Sequence, residues 1–257
     1  MYNKELNTAR QAVKEAGKCL MRRFNKTNQI SRKGVIDLVT EADLQSEKII
    51  LEIIRESFPD DSILAEETGK HGSIKERAWI IDPLDGTTNF AHGFPFFAVS
   101  IGFQAEGEII LGIVYSPSLK ERFEAVKDRG STLNGNHIKV SENRDLNSSL
   151  LATGFPYSIR EDSEQVIGLL EKILIRAQGV RRAGAAAIDL CYVAAGRLDG
   201  FWEQGLKPWD TAAGSLIVRE AGGKVSDYQG EPYNPFQENI AASNPFIFDE
   251  LINAIND

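Results

Sequence analysis

The sequence predicts a mixed α/β (α+β) fold, and three textures along the chain predict it. Apolar residues recur at helical spacing near the start, short β-branched and aromatic runs crowd the middle, and strand-like segments alternate with helical ones through the second half. The 257 residues are 42% hydrophobic, enough to bury the core of one large domain or of two small ones sharing an interface. A net charge of −8 argues against nucleic acid or an anionic membrane as a general partner.

Leu6, Ala9, Val13, Ala16, Leu20 and Phe24 fall three or four residues apart, so the first segment is an amphipathic helix laid against the body. The charges interleaved with them, from Lys4 to Lys18, are unlike the uninterrupted apolar core of a signal peptide, and no later run is long and apolar enough to cross a bilayer. Cys19 and Cys191 stand far apart with no C-x-x-C, which fits buried thiols in a reducing compartment; a cytoplasmic protein is expected. Ile30 to Thr40 is polar and contains Gly34, and its Lys33 either reaches a phosphate or is simply solvated. Thr40-Glu41-Ala42-Asp43 reads as a capping box opening a helix through Ser57, with Leu44, Ile50, Leu51, Ile54 and Phe58 for its buried face. Asp43 serves that cap, or accepts a hydrogen bond from a hydroxyl in the loop around Asp82.

Two strands then end in acids. Ser62 to Ala65 runs into Glu66-Glu67, and Trp79-Ile80-Ile81 runs into Asp82-Pro83-Leu84-Asp85-Gly86-Thr87-Thr88. Pro83 fixes its own φ and biases Asp82 toward extended backbone, while Gly86 permits a conformation that a side chain would obstruct. Two carboxylates held on a stiff turn suit a hard cation such as Mg²⁺ or Mn²⁺, although capping a turn is a common fate of an isolated D-x-x-D. If Gly86, Thr87 and Thr88 open a helix, their amides face the same region and suit phosphate. Phosphatases that form a phospho-aspartate use D-x-D-G-T; here the nucleophile's place is taken by Pro83, which favours an activated water.

Phe97 to Phe103, Ile109 to Tyr115 and Phe123 to Val126 are strand-like and closely spaced, hence antiparallel, and Asn134-Gly135 signals a hairpin. A polar linker at Asn143 to Asn147 divides the chain into 1–145 and 146–257. Beyond it come a strand at Leu150 to Ala152, a helix from Ser163 to Ala177, a strand around Val180 and a helix from Ala185 to Ala195. A strand at Phe201-Trp202 follows, then a helix from Thr211 to Ala221, strands at Lys224-Val225 and Ile240 to Ala242, and a closing helix after Pro245. Asp210 stands just before its helix, where it is either an N-cap or a metal ligand. Gly184-Ala185-Ala186, after Arg181-Arg182, allows close helix packing or the approach of a ligand to backbone.

Taken together, Asp37-Leu-Val-Thr40-Glu-Ala-Asp43, Glu66-Glu67, Asp82 to Phe90 and Trp209-Asp210-Thr-Ala-Ala-Gly214 resemble the inositol monophosphatase family, in particular its bacterial branch. The likeness runs from the first helix to Gly222-Gly223. It implies a layered α-β-α-β-α sandwich, a homodimer, and Mg²⁺-dependent, lithium-sensitive hydrolysis of a small phosphate monoester such as myo-inositol 1-phosphate. Two or three ions are implied, with Mn²⁺ as a substitute. Glu66, Asp82 and the Leu84 carbonyl would hold one ion, and Asp82, Asp85 and Asp210 a second. Thr87, oriented by Asp43, would position the attacking water together with Glu66, and the Gly86 and Thr87 amides would hold phosphate. Asp85, Glu203 and the Gly184-Ala185-Ala186 loop would contact the substrate ring, with Asp210 beside it. Ala185 stands where animal members carry a hydroxyl, so one polar contact is missing. Alternatives within the superfamily are fructose 1,6-bisphosphate or a 3′,5′-bisphosphate nucleotide as substrate, and outside catalysis a role as a partner of the transcription machinery.

Overall fold

A computed structural model describes residues 2–24, 30–32, 38–71, 76–161 and 163–257. Helix α1 (Asn3–Arg23) buries Ala9, Val13, Ala16 and Leu20 of the expected stripe, with Ala12 beside them and Leu6 and Phe24 partly buried. Strands β1 (Ile30–Arg32) and β2 (Leu38–Thr40) pair antiparallel, so the polar stretch folds back on itself where no strands were expected. Lys33 and Asp37, and the side chain of Thr40, lie outside the described residues. Helix α2 (Glu41–Ser57) follows. Leu44, expected on its buried face, is 49% exposed; the inward positions of the first turns hold Asp43, Ser46 and Glu47 instead, because this end of the helix faces a polar site.

The first sheet is eight-stranded, in the order β10-β9-β8-β7-β6-β5-β3-β4. It is built from β3 (Ser62–Ala65), β4 (Gly69–His71) and β5 (Arg77–Asp85), then, after the short helix α3 (Thr87–Ala91), from β6 (Ala98–Ala105), β7 (Glu108–Ser116) and β8 (Glu121–Val126). A hairpin of β9 (Ser131–Leu133) and β10 (Asn136–Ile138) completes it, turning through Asn134 and Gly135, both at positive φ. All pairings are antiparallel except β3 with β5. The run from Trp79 to Ile81 is continuously apolar because the sheet is covered on both faces: Trp79 and Ile81 join the core under α1 and α2, while Ile80 joins the opposite one. Full burial of each isoleucine is worth about 1.5–3 kcal/mol.

The chain leaves this sheet through residues 139–149, where the division at 145/146 was expected, and enters a second. There β11 (Leu150–Thr153), helix α4 (Ser163–Leu174), β12 (Gly179–Arg181), helix α5 (Ala186–Ala194) and β13 (Gly200–Gln204) alternate as read from the sequence. Helix α6 (Pro208–Glu220), β14 (Lys224–Ser226), β15 (Asn239–Ser243) and helix α7 (Phe248–Asn256) follow. The order is β12-β11-β13-β15-β14, parallel among the first three and antiparallel at β15. Helices α5 and α6 lie between the sheets, sharing one core with Ile80 and Val114 of the first and Phe201 and Ile240 of the second. Trp202, next to Phe201, points the other way into a third core with residues of α4 and α7. The layers are therefore α-β-α-β-α, as the resemblance implied. No described helix is long and apolar enough to cross a membrane.

Candidate active site

Strands β3 and β5 run parallel with Ala65 opposite Ile81, so the residues that follow each, Glu66 and Asp82, emerge side by side. The Glu66 amide donates to the Ile81 carbonyl at 3.2 Å, extending the ladder one step into the site. Against β6 the register of β5 slips between Asp82 and Asp85, at Pro83, which has no N–H to give the ladder. The bulge is pinned on both sides: the Leu84 amide donates to Asp82 Oδ1 at 2.9 Å, and Ser46 Oγ donates to the Pro83 carbonyl at 2.8 Å. Gly86 then turns the chain into α3 at φ 87°, and a Cβ there would lie 2.9 Å from the Phe96 carbonyl oxygen. Thr87 Oγ1 lies 3.0 Å from the Leu84 carbonyl and 3.2 Å from Asp43 Oδ1, so Asp43 meets a hydroxyl of this loop, one of its two expected roles.

The second half brings two helix starts to the same place. Asp210 was read as lying before its helix; in fact α6 begins at Pro208, a residue whose fixed φ suits the first helical turn, and Asp210 is the third helical residue. Its Oδ2 accepts the Lys207 amide at 2.7 Å, so it caps from within, as the acid of a capping box does. Helix α5 starts after Ala185, which has no side chain able to cap. Asp85 takes that part from the other half of the chain: its Oδ2 accepts the Ala187 amide at 2.8 Å, with the amides of Ala186 and Ile188 close enough to favour its charged form. The small residues at 184–186 admit that carboxylate. Asn89 secures the junction by donating to the Phe96 carbonyl at 2.7 Å and the Ala183 carbonyl at 2.9 Å.

Glu66, Asp82, Asp85 and Asp210 thus line one cleft of about 350 Å³ together with Leu84, Gly86, Thr87 and Glu203. An adjoining cleft of about 270 Å³ shares Asp85, Thr87, Glu203 and Asp210 and is bordered by Gly184, Ala185 and Ala186. Every residue singled out for the site borders one of these clefts except Asp43, which stands behind Thr87. Burial first, and for most of them the neighbouring acids, favour the protonated forms. Burial and then Asp210 raise the Glu66 carboxyl to about 9; burial and Asp210 raise Asp85 to about 7 against the pull of the α5 amides. Burial raises Asp210 to about 6, opposed by the Lys207 amide, and burial followed by Glu66 and Asp85 pushes Asp82 well above its usual value. Glu203, also buried, is raised for the same reason, with Asp210 as its main charged neighbour.

Hard oxygen donors that repel one another in a shared cleft fit a divalent cation, whose charge would offset both burial and repulsion. Asp82, Asp85 and Asp210 each commit one oxygen to a backbone amide and line the same cleft. Among the described residues no three His, Cys, Asp or Glu side chains form a ready-made cage around one point.

Sequence reasoning did not find Ser46, Glu47, Asn89 or the cleft wall of Phe155, Pro156 and Leu206. Ser46 and Glu47 carried a usable signal, since they fall three and four residues after Asp43 and so share its helix face. Phe155, Pro156 and Leu206 carried none, because loop apolar residues have no period.

The sequence model of the inositol monophosphatase family matches residues 1–257. An inositol-1-monophosphatase of Synechocystis sp. is 48% identical over 252 residues, covering 97% of this chain and 88% of that protein. The Nus factor SuhB of Escherichia coli (strain K12) is 42% identical over 255 residues, covering 98% and 96%. The crystal structure of the extragenic suppressor protein suhB from Bartonella henselae superposes with a TM-score of 0.93 at 41% identity, covering 98% of each chain.

Proposed function

The chain belongs to the inositol monophosphatase family and is a phosphatase of the inositol monophosphatase type, and on that footing we propose that it hydrolyses myo-inositol 1-phosphate and related sugar or polyol phosphates with Mg²⁺ in the Glu66–Asp210 cleft. The observation that carries the proposal is the arrival of four acids, from the end of β3, from β5 and from α6, in one cleft that Gly86 and Thr87 also line.

Hydrolysis of a phosphate monoester can require acceleration on the order of 10²¹, about 29 kcal/mol of barrier, of which positioning supplies about 7–11. Bound divalent ions would supply most of the remainder as positive charge on the attacking and departing oxygens. The protein's part is to hold them: Glu66, Asp82 and the Leu84 carbonyl on one side, Asp82, Asp85 and Asp210 on the other, with a third, weaker position near Glu66. Thr87, whose hydroxyl is within reach of Asp43, and Glu66 orient the water; the Gly86 and Thr87 amides take the phosphate oxygens. Asp85, Glu203, Asp210 and the Gly184–Ala186 edge face the alcohol portion. The P–O ester bond breaks, water supplies the new P–O bond, and the alcohol leaves with a proton. Mn²⁺ as a substitute ion, inhibition by lithium, homodimeric assembly and a cytoplasmic location belong to the same reading and rest on the family likeness.

Steady-state comparison of myo-inositol 1-phosphate, fructose 1,6-bisphosphate and adenosine 3′,5′-bisphosphate tests it. The inositol phosphate is expected to have the highest kcat/KM; a large preference for the nucleotide or the fructose bisphosphate would overturn the substrate assignment. A second reading is favoured by the relatives that carry the name Nus factor: a partner of the transcription machinery, contacted through exposed groups such as Arg181 and Arg182. Survival of a cellular phenotype in an Asp82→Asn variant that has lost turnover would support it.

A further inference from the structure

Helix α2 presents one buried polar face to the site. Asp43, Ser46 and Glu47 occupy positions i, i+3 and i+4 and are almost fully covered, Glu47 at 1% exposure. The first two serve the β5 side, Asp43 meeting Thr87 and Ser46 holding the Pro83 carbonyl. Glu47 serves the other strand. Its Oε2 accepts the Glu67 amide at 2.9 Å and its Oε1 accepts the Thr68 amide at 3.0 Å, so both oxygens grip the turn immediately after Glu66. That turn leads only to β4, a three-residue strand at the sheet's edge. Glu66 is therefore tied before by its own amide on the Ile81 carbonyl and after by a helix from outside the sheet.

A carboxylate buried this deeply costs free energy unless its oxygens are satisfied, and an apolar side chain would fill the same space more cheaply. What an apolar residue could not do is fix two successive amides. We propose that Glu47 is a positioning residue: by clamping the Glu67-Thr68 turn it sets the Glu66 carboxylate against Asp82, and so sets the affinity of the cleft for a divalent ion. The inference rests on the reading of Glu66 as an ion ligand, and it makes α2 the common template that registers both acid-bearing strands.

Calorimetric titration of the ion-free full-length protein with Mn²⁺ tests it. Glu47→Gln keeps the volume but turns an amide N–H₂ toward one of the two backbone donors. The expected result is a folded protein whose Mn²⁺ affinity falls about 10-fold or more, the scale for residues that orient a metal's ligands. The Mg²⁺ concentration for half-maximal activity should rise in parallel, while kcat at saturating Mg²⁺ returns to within about twofold of the unaltered protein. Lowered thermal stability with unchanged Mn²⁺ affinity would reduce Glu47 to a structural role and overturn the inference. An unaltered protein that binds no Mn²⁺ would instead sink the reading of the site, and the inference with it; that arm distinguishes the two failures. Should Glu47→Gln not fold, amide hydrogen exchange on the unaltered, ion-free protein decides: protected Glu67 and Thr68 amides are expected, and free exchange at both overturns the clamp.

Discussion

The Asp85 carboxylate accepts the Ala187 amide at 2.8 Å, so the acid that ends β5 caps a helix belonging to the other half of the chain. That oxygen joins the halves, and the residue lines the cleft. Replacement by Asn keeps an acceptor for the helix but removes the charge. Asp85→Asn is expected to fold with stability within about 1 kcal/mol of the unaltered protein and to lose activity by about 10²-fold or more. Circular dichroism and kcat/KM measured on the same preparation check both halves of this statement.

Without ions, the protein should become less stable as pH rises. Glu66, Asp85 and Asp210 have folded-state values of about 9, 7 and 6, above those of an unfolded chain, so the folded state binds more protons between pH 5 and pH 9. The contribution is fully present below about pH 4 and is lost as pH passes through these values. Urea unfolding midpoints in a chelator, measured from pH 5 to pH 9, should fall steadily.

Mg²⁺ should reverse that trend, because the proposed site would bind the cation through the ionised acids of the folded state alone. At a concentration 100 times its Kd the stabilisation is about 2.7 kcal/mol, and the melting temperature of a chain this long should rise by about 5–10 °C at pH 8. The rise should be smaller at pH 5, where protons compete, and smaller in Asp85→Asn. A melting temperature indifferent to Mg²⁺ at pH 8 would remove the proposed ion site.

Gly154 lies directly against Glu203: a Cβ built there would be 2.0 Å from its Oε1. Gly154→Ala should swing the Glu203 carboxylate away from the cleft while leaving the metal-side acids in place. The expected outcome is a KM for myo-inositol 1-phosphate raised several-fold with kcat changed less, the pattern of lost binding common to ground and transition states.

Much of this site was legible because its residues obey local rules. Gly86 advertises a positive-φ turn, and the apolar run before Asp82 announces a buried strand; Pro83 was read as stiffening a turn, whereas the strand continues past it to Asp85 through a bulge. The start of α6 was misplaced because Asp210 resembled a cap by its type, whereas Pro208 two residues earlier was the stronger signal. Leu44 was assigned to the core because apolar residues usually are, yet the cleft claims the inward face of α2 for Asp43, Ser46 and Glu47. Tertiary partnerships such as Asp85 with Ala187, or Glu47 with Thr68, leave no periodic trace, and only the folded chain reveals them.

Helix α6, wedged between the two sheets, carries the last of the four acids. A polypeptide emerging from the ribosome therefore exposes Glu66, Asp82 and Asp85 long before Asp210 has been made. The first sheet can form and cover its outer side with α1 and α2 while Glu66, Asp82 and Asp85 still face open water, and Asp210 adds its charge to theirs only when α6 docks. Catalytic competence is thus deferred to a late stage of synthesis, and a nascent chain bears the full electrostatic strain of the four acids only after the scaffold able to resist it is in place.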